Sequence, residues 1–255
     1  MKVRVVCCVA TCATAVLGQA LEWKPLPGDL TDVGVAVNGA LFAIGANVAK
    51  GGKSIHRWTG SGWKPVPGGA VRIAVDPDGN PWVVNDAGAV YRRTKSKWED
   101  VPPLPAPGPR ATAPALDVGI GADGTVWVLG RGGALYRWSG SAWTTFEGRG
   151  DGVALAVGPK GEPWIVSATG DVQRFQPDTS SWTRFPGQAQ DVAVAADGTV
   201  FIVGAGPGTV HRLEAGTWVA DPAASGSRIS AGPAGTVVVL KAGAPFLTGT
   251  LRPPA

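Results

Sequence analysis

A hairpin-like motif recurs along the chain and constrains the fold more than any other feature. In residues 79–93, two β-branched and aromatic runs, Trp82–Val84 and Val90–Arg92, flank a turn rich in Asn, Asp and Gly. Gly and Asn tolerate positive φ, and the flanking runs suit half-buried strands, so the motif predicts a β-hairpin. Further copies begin at Gly39, Gly124, Gly161, Gly198 and Gly235. Repetition at this scale predicts a repeat architecture.

A Trp-headed segment recurs in the same rhythm as the hairpins. The copies are Trp23–Leu26, Trp63–Val66, Trp98–Val101, Trp143–Phe146, Trp182–Phe185 and Trp218–Asp221. They follow one another at about forty residues, and four antiparallel strands at this period are typical of a β-propeller blade. The 38 Gly and 22 Pro residues supply the many turns that such a fold needs. The sequence therefore predicts an all-β, six-bladed β-propeller of four-stranded antiparallel blades.

The two chain ends are predicted to share one blade. Trp23–Leu26 has no hairpin copy before it, and no Trp-headed segment follows the last hairpin copy. If the N-terminal strand completes the sixth blade, the ring has no open seam between its first and last blades. We therefore expect the ring to be closed by the N-terminal strand.

Residues 1–20 have the pattern of a secretory signal peptide. Lys2 and Arg4 precede an apolar run, and small residues at Gly18–Ala20 suit cleavage after about Ala20. We expect a secreted, extracellular protein whose propeller spans residues 21–255. A buried first strand or a membrane anchor is the alternative, although the run is short for a bilayer span. The three cysteines are Cys7, Cys8 and Cys12, so the mature chain would have no disulfide.

The charge pattern gives no support for a nucleic-acid partner or for membrane insertion. The formal net charge is +4, and two of the basic residues lie in the predicted signal peptide. The remaining Lys and Arg residues form no cluster of the kind that binds phosphate backbones. No later segment is long and apolar enough for a membrane helix.

Alignment of the hairpin turns predicts three sets of equivalent positions. The first is an aromatic or apolar set expected in the core: Phe42, Trp82, Trp127, Trp164, Phe201 and Val238. The second is a small set expected at the crowded centre: Gly34, Ala74, Gly119, Ala156, Ala193 and Ser230. The third lies two residues earlier, hence on the same strand face: Asp32, Arg72, Asp117, Ala154, Asp191 and Arg228. We predict a structural ring of ion pairs at one mouth of a central channel, with a gap at Ala154.

The third strands carry a further set of equivalent arginines. These are Arg57, Arg92, Arg137, Arg174 and Arg212. We expect them to pair with acids or carbonyls of neighbouring blades. His56 and His211 precede two of them, where other copies have Tyr or Gln, and are interpreted as packing residues.

The sequence offers little for catalysis. The two histidines fall in non-adjacent predicted blades, which argues against a zinc site, and no nucleophile-elbow motif is present. Asp32, Asp117 and Asp191 could act as acid and base or bind a cation, but Arg72 and Arg228 favour charge pairing. We therefore expect no catalytic residues, no metal site, no cofactor and no enzymatic activity.

The repeat resembles that of the tectonin family, which includes fish-egg lectins and some horseshoe-crab tachylectins. The residues that carry the resemblance are Gly-x-x-Trp-x-Val-Asn-x-x-Gly-x-Val-Tyr-Arg-Arg at residues 79–93, joined to a Trp-headed strand. The resemblance covers about residues 21–250, and the last copy departs from it at Val238. It implies a six-bladed propeller and recognition of glycans on microbial or egg surfaces.

We therefore expect a non-enzymatic, lectin-like propeller that binds cell-surface or microbial glycans through variable loops on one face. Asn85, Asp86 and Arg131, on equivalent loops, are the candidate ligand-binding fork, although Asn85 and Asp86 also suit a simple turn. A protein-interaction scaffold that uses the same face, with Pro102–Pro114 as a docking loop, is the alternative. A propeller hydrolase or lyase would instead need unpaired acids in the channel.

Overall fold

The computed structural model is an all-β structure that describes residues 21–106, 112–148, 151–233, 235–241 and 246–251. Within these ranges it contains twenty-five strands and no helix. The predicted signal peptide, residues 1–20, lies outside the described residues. The strands fall into successive antiparallel units, which we number one to six after the hairpin copies.

The first three units are four-stranded sheets whose strands follow chain order. Unit one consists of β2 (Leu30–Val35), β3 (Leu41–Ala49), β4 (Gly52–Trp58) and β5 (Trp63–Ala70). Unit two consists of β6 (Arg72–Val75), β7 (Pro81–Val84), β8 (Val90–Thr94) and β9 (Lys97–Asp100). A ribbon of β10 (Leu104–Pro105) and β11 (Thr112–Ala113) comes next. Unit three consists of β12 (Ala115–Ile120), β13 (Val126–Gly130), β14 (Leu135–Trp138) and β15 (Trp143–Phe146).

Units four and five share one seven-stranded sheet. Its strands are β16 (Gly152–Val157), β17 (Pro163–Ser167), β18 (Asp171–Gln176), β19 (Ser181–Val194), β20 (Val200–Gly204), β21 (Thr209–Glu214) and β22 (Thr217–Ser225). Residues 181–188 of β19 pair with β18, and residues 189–194 pair with β20. The strand is therefore the last strand of unit four and the first strand of unit five.

Unit six brings both ends of the described chain into one sheet. Its strands are β23 (Arg228–Ala231), β24 (Thr236–Leu240), β25 (Phe246–Leu251) and the first strand of the chain, β1 (Leu21–Leu26). β1 pairs antiparallel with β25, and Trp23 lies opposite Gly249. A Cβ at Gly249 would come within 2.9 Å of the Trp23 ring. The absence of a side chain at Gly249 therefore allows the ring to pack over β25.

The first strands of the units lie side by side around a central channel. β2 contacts β6, and the contacts continue through β12, β16, β19 and β23 back to β2. Residues from all six strands line a cavity of about 70 Å³. The small set faces this cavity, as predicted. A Cβ at Gly119 would lie 2.9 Å from Val157 Cγ2, so the position has no room for a larger side chain.

The predicted turns and core positions are confirmed. The turn glycines Gly39, Gly79, Gly124, Gly161, Gly198 and Gly235 have φ between 75° and 87°. All six members of the core set are at most 5% exposed. Trp127 is representative, since its ring packs against Phe146 and Phe175 and its Nε1 donates to the Gly161 carbonyl of the next unit at 2.9 Å. The repeated aromatics thus fill the space between units.

The Trp-headed strands carry a second connection between units. The indole Nε1 of Trp63, Trp98, Trp143 and Trp218 donates at 2.6–2.7 Å to the carbonyls of Pro27, Pro67, Pro102 and Pro186, respectively. Each proline stands four residues after the Trp of the preceding unit. Trp23 donates instead to Asp221 Oδ2 at 2.9 Å. The outer strands are therefore joined by a hydrogen bond that the Trp-x-x-x-Pro spacing encodes.

Replacing Trp218 with Phe is expected to lower the free energy of unfolding by about 1 kcal/mol. The change keeps an aromatic ring but removes the Nε1 donor to the Pro186 carbonyl, and one net hydrogen bond contributes about that much. Urea denaturation followed by circular dichroism measures the difference. Equal stability of W218F and the wild type would show that this bond contributes nothing.

Candidate functional site

The antiparallel order of each unit gives the molecule two functional faces. The links between second and third strands and the links between units lie at one end of the sheets, which we call the loop face. The turns between first and second strands and between third and fourth strands lie at the other end, which we call the turn face. Residues 85–89 and 101–106 belong to the loop face, and residues 158–162 and 177–180 belong to the turn face.

The structure places the predicted fork residues on the loop face but does not join them to each other. Asn85 Oδ1 accepts the Ala89 N–H at 2.8 Å, so its side chain closes the turn. The Asp86 N–H donates to the Gly51 carbonyl of unit one at 3.1 Å. The side chains of Asp86 and Arg131 are exposed, and within the described ranges neither takes part in an ion pair of 4.0 Å or less. Asp86 and Arg131 therefore remain candidates, while Asn85 has a turn role.

A cavity of about 400 Å³, lined by mostly apolar side chains and by backbone groups, lies beside the fork, between units two and three. Its lining includes Ala87, Val101, Pro103, Leu104 and Ala113. Part of the predicted docking loop Pro102–Pro114, residues 107–111, lies outside the described residues. The described part is rich in proline and alanine, so its side chains are mostly apolar and backbone groups contribute the polar surface.

The predicted channel acids are buried and join alternate units to their successors. Asp32, Asp117 and Asp191 are 7%, 7% and 6% exposed. Their Oδ2 atoms accept the backbone N–H groups of Ile73, Leu155 and Ile229 at 2.8, 3.0 and 2.8 Å, respectively. The three carboxylates lie on the first strands of units one, three and five, respectively. Each N–H donor lies on the first strand of the unit that follows. The carboxylates thus complete hydrogen bonds between neighbouring first strands.

The ion pairs at the channel are fewer and longer than the predicted ring. Arg72 Nε lies 3.8 Å from Asp117 Oδ1, and Arg228 Nη1 lies 3.8 Å from Asp191 Oδ1. Among the described residues, no arginine nitrogen comes within 4.0 Å of Asp32. The carboxylates accept hydrogen bonds from backbone N–H groups, and the guanidinium groups lie near the 4.0 Å distance limit of an ion pair.

Burial strongly perturbs these three carboxyl groups. It raises the pKa of Asp32 to about 6 and that of Asp191 to about 7, and it also raises the pKa of Asp117. The nearby charges of Arg72 and Arg228 oppose the rise at Asp32 and Asp117. Three carboxylates face two guanidinium groups, so a fully ionised cluster carries an uncompensated negative charge in a buried cavity. Proton uptake near neutral pH relieves that charge.

The two histidines have the predicted packing role. His56 Nε2 lies 2.9 Å from Ser54 Oγ, and His211 Nδ1 lies 2.9 Å from the Thr209 carbonyl. A Cβ at Gly45 or Gly204 would come within 2.9 Å of the respective imidazole ring. The histidines lie in units one and five. The described residues contain no group of three His, Cys, Asp or Glu side chains placed to hold a metal ion.

Four of the five third-strand arginines pair within their own units, which corrects the expected pairing with neighbouring units. The guanidinium groups of Arg57, Arg92 and Arg174 lie 5.9, 6.0 and 5.6 Å from the ring centres of Phe42, Trp82 and Trp164, respectively. Arg92 also pairs with Glu99 at 2.9 Å, and Arg212 pairs with Glu214. Each of these aromatics lies directly opposite its arginine in the sheet register, so the register brings the cation to the ring.

A polar groove of about 660 Å³ crosses the turn face from unit three to unit five. The charged residues of its lining are Arg137, Lys160, Glu162, Arg174, Asp178 and Asp197. The site residues predicted from the sequence lie in the variable loops, so this groove was not predicted. One signal was present, because Lys160 occupies the turn position that is Asn or Asp in four other copies.

Solved structures with a similar backbone include a β-propeller domain. The β-propeller domain of Cps50 (Swd1) from Myceliophteria thermophila is 12% identical, with a TM-score of 0.62 over 89% of this chain and 98% of that chain. Virginiamycin B lyase from Staphylococcus aureus is 17% identical, with a TM-score of 0.61 over 86% of this chain and 80% of that chain. YCF48 bound to D1 peptide is 15% identical, with a TM-score of 0.60 over 93% of this chain and 99% of that chain. At these identities the likeness establishes a β-propeller fold alone.

Sequence comparison identifies the repeat type. No curated protein matches the chain. No helix in the described residues is long and apolar enough to cross a membrane. A model of the tectonin domain matches residues 4–102, a range that begins inside the predicted signal peptide. This match confirms the predicted resemblance and supports placing the chain in the tectonin-repeat family.

Proposed function

We propose that this protein is a secreted, non-enzymatic, carbohydrate-binding propeller with six blades. In this proposal units one to six are the blades, and β1 closes the ring by pairing with β25. The support for closure is the β1–β25 register together with the contact of β23 with β2. Such a ring has no exposed edge at the seam, and it holds its surface loops and turns on a rigid frame.

The observation that carries the glycan-binding proposal is the polar groove on the turn face. Its volume of about 660 Å³ lies within the roughly 300–1,000 Å³ of small-molecule sites. Guanidinium and ammonium groups donate hydrogen bonds, and carboxylates accept them. A sugar hydroxyl does both, so a lining with both kinds of group suits a polyhydroxylated ligand. Asp86 and Arg131 offer a second, smaller polar pair on the loop face.

The channel supports a structural role better than a catalytic one. Its cavity of about 70 Å³ is small beside ordinary ligand sites. Each of the three acids already accepts a backbone hydrogen bond from the next unit. A substrate would have to displace bonds that join the units, so we propose no enzymatic activity and no cofactor.

A protein-interaction scaffold is the second candidate. The observation that favours it is the cavity of about 400 Å³, lined by mostly apolar side chains, between units two and three on the loop face. Proline and alanine surfaces of this kind suit peptide side chains better than sugar hydroxyls. The scattered basic charge still gives no basis for nucleic-acid binding or membrane insertion.

Binding to a panel of immobilised bacterial and eukaryotic glycans tests the proposal. The secreted, folded chain is expected to bind some members saturably, and free sugar is expected to compete. A parallel measurement with chelator detects any dependence on calcium. If the folded chain binds no member above background, the glycan-binding proposal fails, and a pull-down from secreted material then tests the scaffold.

A further inference from the structure

The groove on the turn face is built by equivalent positions of three consecutive units. Arg137 and Arg174 stand at the same place in β14 and β18, opposite Trp127 and Trp164, respectively. The turn 159–162 of unit four lies in the lining with them, and so do Asp197 and Gly198 of the unit five turn. The groove is therefore a product of the repeat rather than an accident of one loop.

The three basic groups of the groove have no acidic partner. Within the described residues, no carboxylate oxygen lies within 4.0 Å of Arg137, Lys160 or Arg174. Arg137 and Lys160 are exposed. The equivalent Arg92 and Arg212, by contrast, pair with Glu99 and Glu214. In units two and five this arginine thus pairs with a glutamate of its own unit. In units three and four it has no carboxylate partner within the described residues and can pair with an anionic ligand.

Lys160 adds positive charge where the repeat elsewhere places an acid or an amide. The equivalent residues are Asn38, Asp78, Asp123 and Asp197. In Asp123 and Asp197 the carboxylate accepts a backbone N–H two residues on and stabilises the turn. Unit four replaces this with Glu162, whose Oε2 accepts the Lys160 N–H at 3.0 Å. The turn is kept, and the Lys160 ammonium is left facing solvent.

The acids of the groove are partly committed to the turns. Glu162 accepts the Lys160 N–H, and Asp197 Oδ1 accepts the Thr199 N–H at 2.9 Å. Their remaining lone pairs, together with the exposed Asp178, can accept hydrogen bonds from hydroxyl groups. A bare anion would meet these carboxylates as well as the cations. A ligand with both hydroxyls and one anionic group matches the whole lining.

Arg174 is positioned in advance for such a contact. Its guanidinium lies 5.6 Å from the ring centre of Trp164 and 6.0 Å from that of Phe185. Cation–π contacts with two rings restrain the position of the guanidinium group. Its buried Nε has no hydrogen-bond partner within the described residues. A restrained guanidinium group with unused donors loses little conformational entropy when it binds a carboxylate, sulfate or phosphate.

We propose that the turn-face groove is the carbohydrate site and that it selects an acidic saccharide. The anionic group, a carboxylate, sulfate or phosphate, would bind Arg137, Lys160 and Arg174, and sugar hydroxyls would meet Glu162, Asp178 and Asp197. This inference rests on the proposed function and places the site on the face opposite to the predicted fork.

The test compares matched saccharides that differ only in charge. A neutral oligosaccharide and its uronic-acid, sulfated and phosphorylated counterparts are titrated into the folded chain. At least one acidic member is expected to bind about 10-fold more tightly than the neutral one. Arg137→Gln and Lys160→Gln are each expected to weaken the acidic member about 10-fold and the neutral member clearly less. The three acidic members also distinguish which anionic group the groove prefers.

Arg184→Gln is the matched control, because Arg184 lies on β19 opposite Gln173, is absent from the lining of the groove and pairs with Asp171. It is expected to bind like the wild type. Equal thermal midpoints verify that each variant is folded. If glycans bind but R137Q and K160Q bind the acidic member as the wild type does, the groove is not the site. A loss of glycan binding in Arg131→Gln would then assign binding to the loop face. If the folded wild type binds no glycan, the proposed function itself fails.

Discussion

The free energy of unfolding is expected to fall as the pH rises from about 5 to about 8. Burial raises the pKa of Asp32 to about 6 and that of Asp191 to about 7, whereas an unfolded Asp titrates near 3.9. The native state therefore holds more protons than the unfolded state between these values. The corresponding stability is fully present below the unfolded pKa and is lost as the pH rises through the folded pKa. The total change is on the order of 3 kcal/mol.

Urea denaturation at a series of pH values measures this slope, and Asp191→Asn is its control. An Asn cannot ionise, and its Oδ1 can still accept the Ile229 N–H that Asp191 accepts at 2.8 Å. Its Nδ2 cannot accept the Val192 N–H that Asp191 Oδ1 accepts at 3.0 Å, so a part of the stability is lost at every pH. Arg228 retains Asp32 and Asp117 as charged neighbours. D191N is expected to lose the larger part of the slope, because the pKa of Asp191 is raised further than that of Asp32. A flat profile for the wild type, or an unchanged slope in D191N, would contradict this account of the channel.

Replacing Trp127 with Ala is expected to lower the free energy of unfolding by about 3–5 kcal/mol. The side chain is fully buried, it packs against Phe146 and Phe175, and its Nε1 donates to the Gly161 carbonyl of unit four. The substitution leaves a cavity between units three and four and an unpaired carbonyl. Chemical denaturation followed by circular dichroism measures the loss.

Val219→Ala is the control for this core substitution. Val219 is 43% exposed, so its truncation is expected to change the free energy of unfolding by about 0.5 kcal/mol or less. Trp127→Phe keeps an aromatic ring without the indole donor and is expected to fall between the two. If W127A costs no more than V219A, the repeated aromatics do not hold the units together.

The sequence predicts the strands and turns of this fold well because both signals are local. A positive φ at Gly79 or Gly124 and a buried Trp82 or Trp127 follow from residues only a few positions apart. The period of about forty residues then places equivalent positions in register. The small side chain at Gly119 could be predicted in the same way, because crowding near an axis depends only on position in the repeat.

The partners of the polar groups could not be predicted, because they lie in other units. Asp32 was placed at the channel, but its bond to the Ile73 N–H depends on the offset between neighbouring first strands. The indole bond of Trp98 to the Pro67 carbonyl likewise crosses between units. The groove on the turn face joins three units, and only the unusual Lys160 marked it in the sequence. Local pattern thus determines the elements, while the contacts between units determine the candidate site.

The most direct test of glycan recognition is equilibrium titration of the folded chain with the glycan that it retains best from the immobilised panel. The account predicts a saturable binding curve, competition by the free acidic saccharide, and a weaker curve at high salt because screening reduces the attraction between charges. Absence of saturable binding to every glycan tested, with the chain shown to be folded, would contradict it.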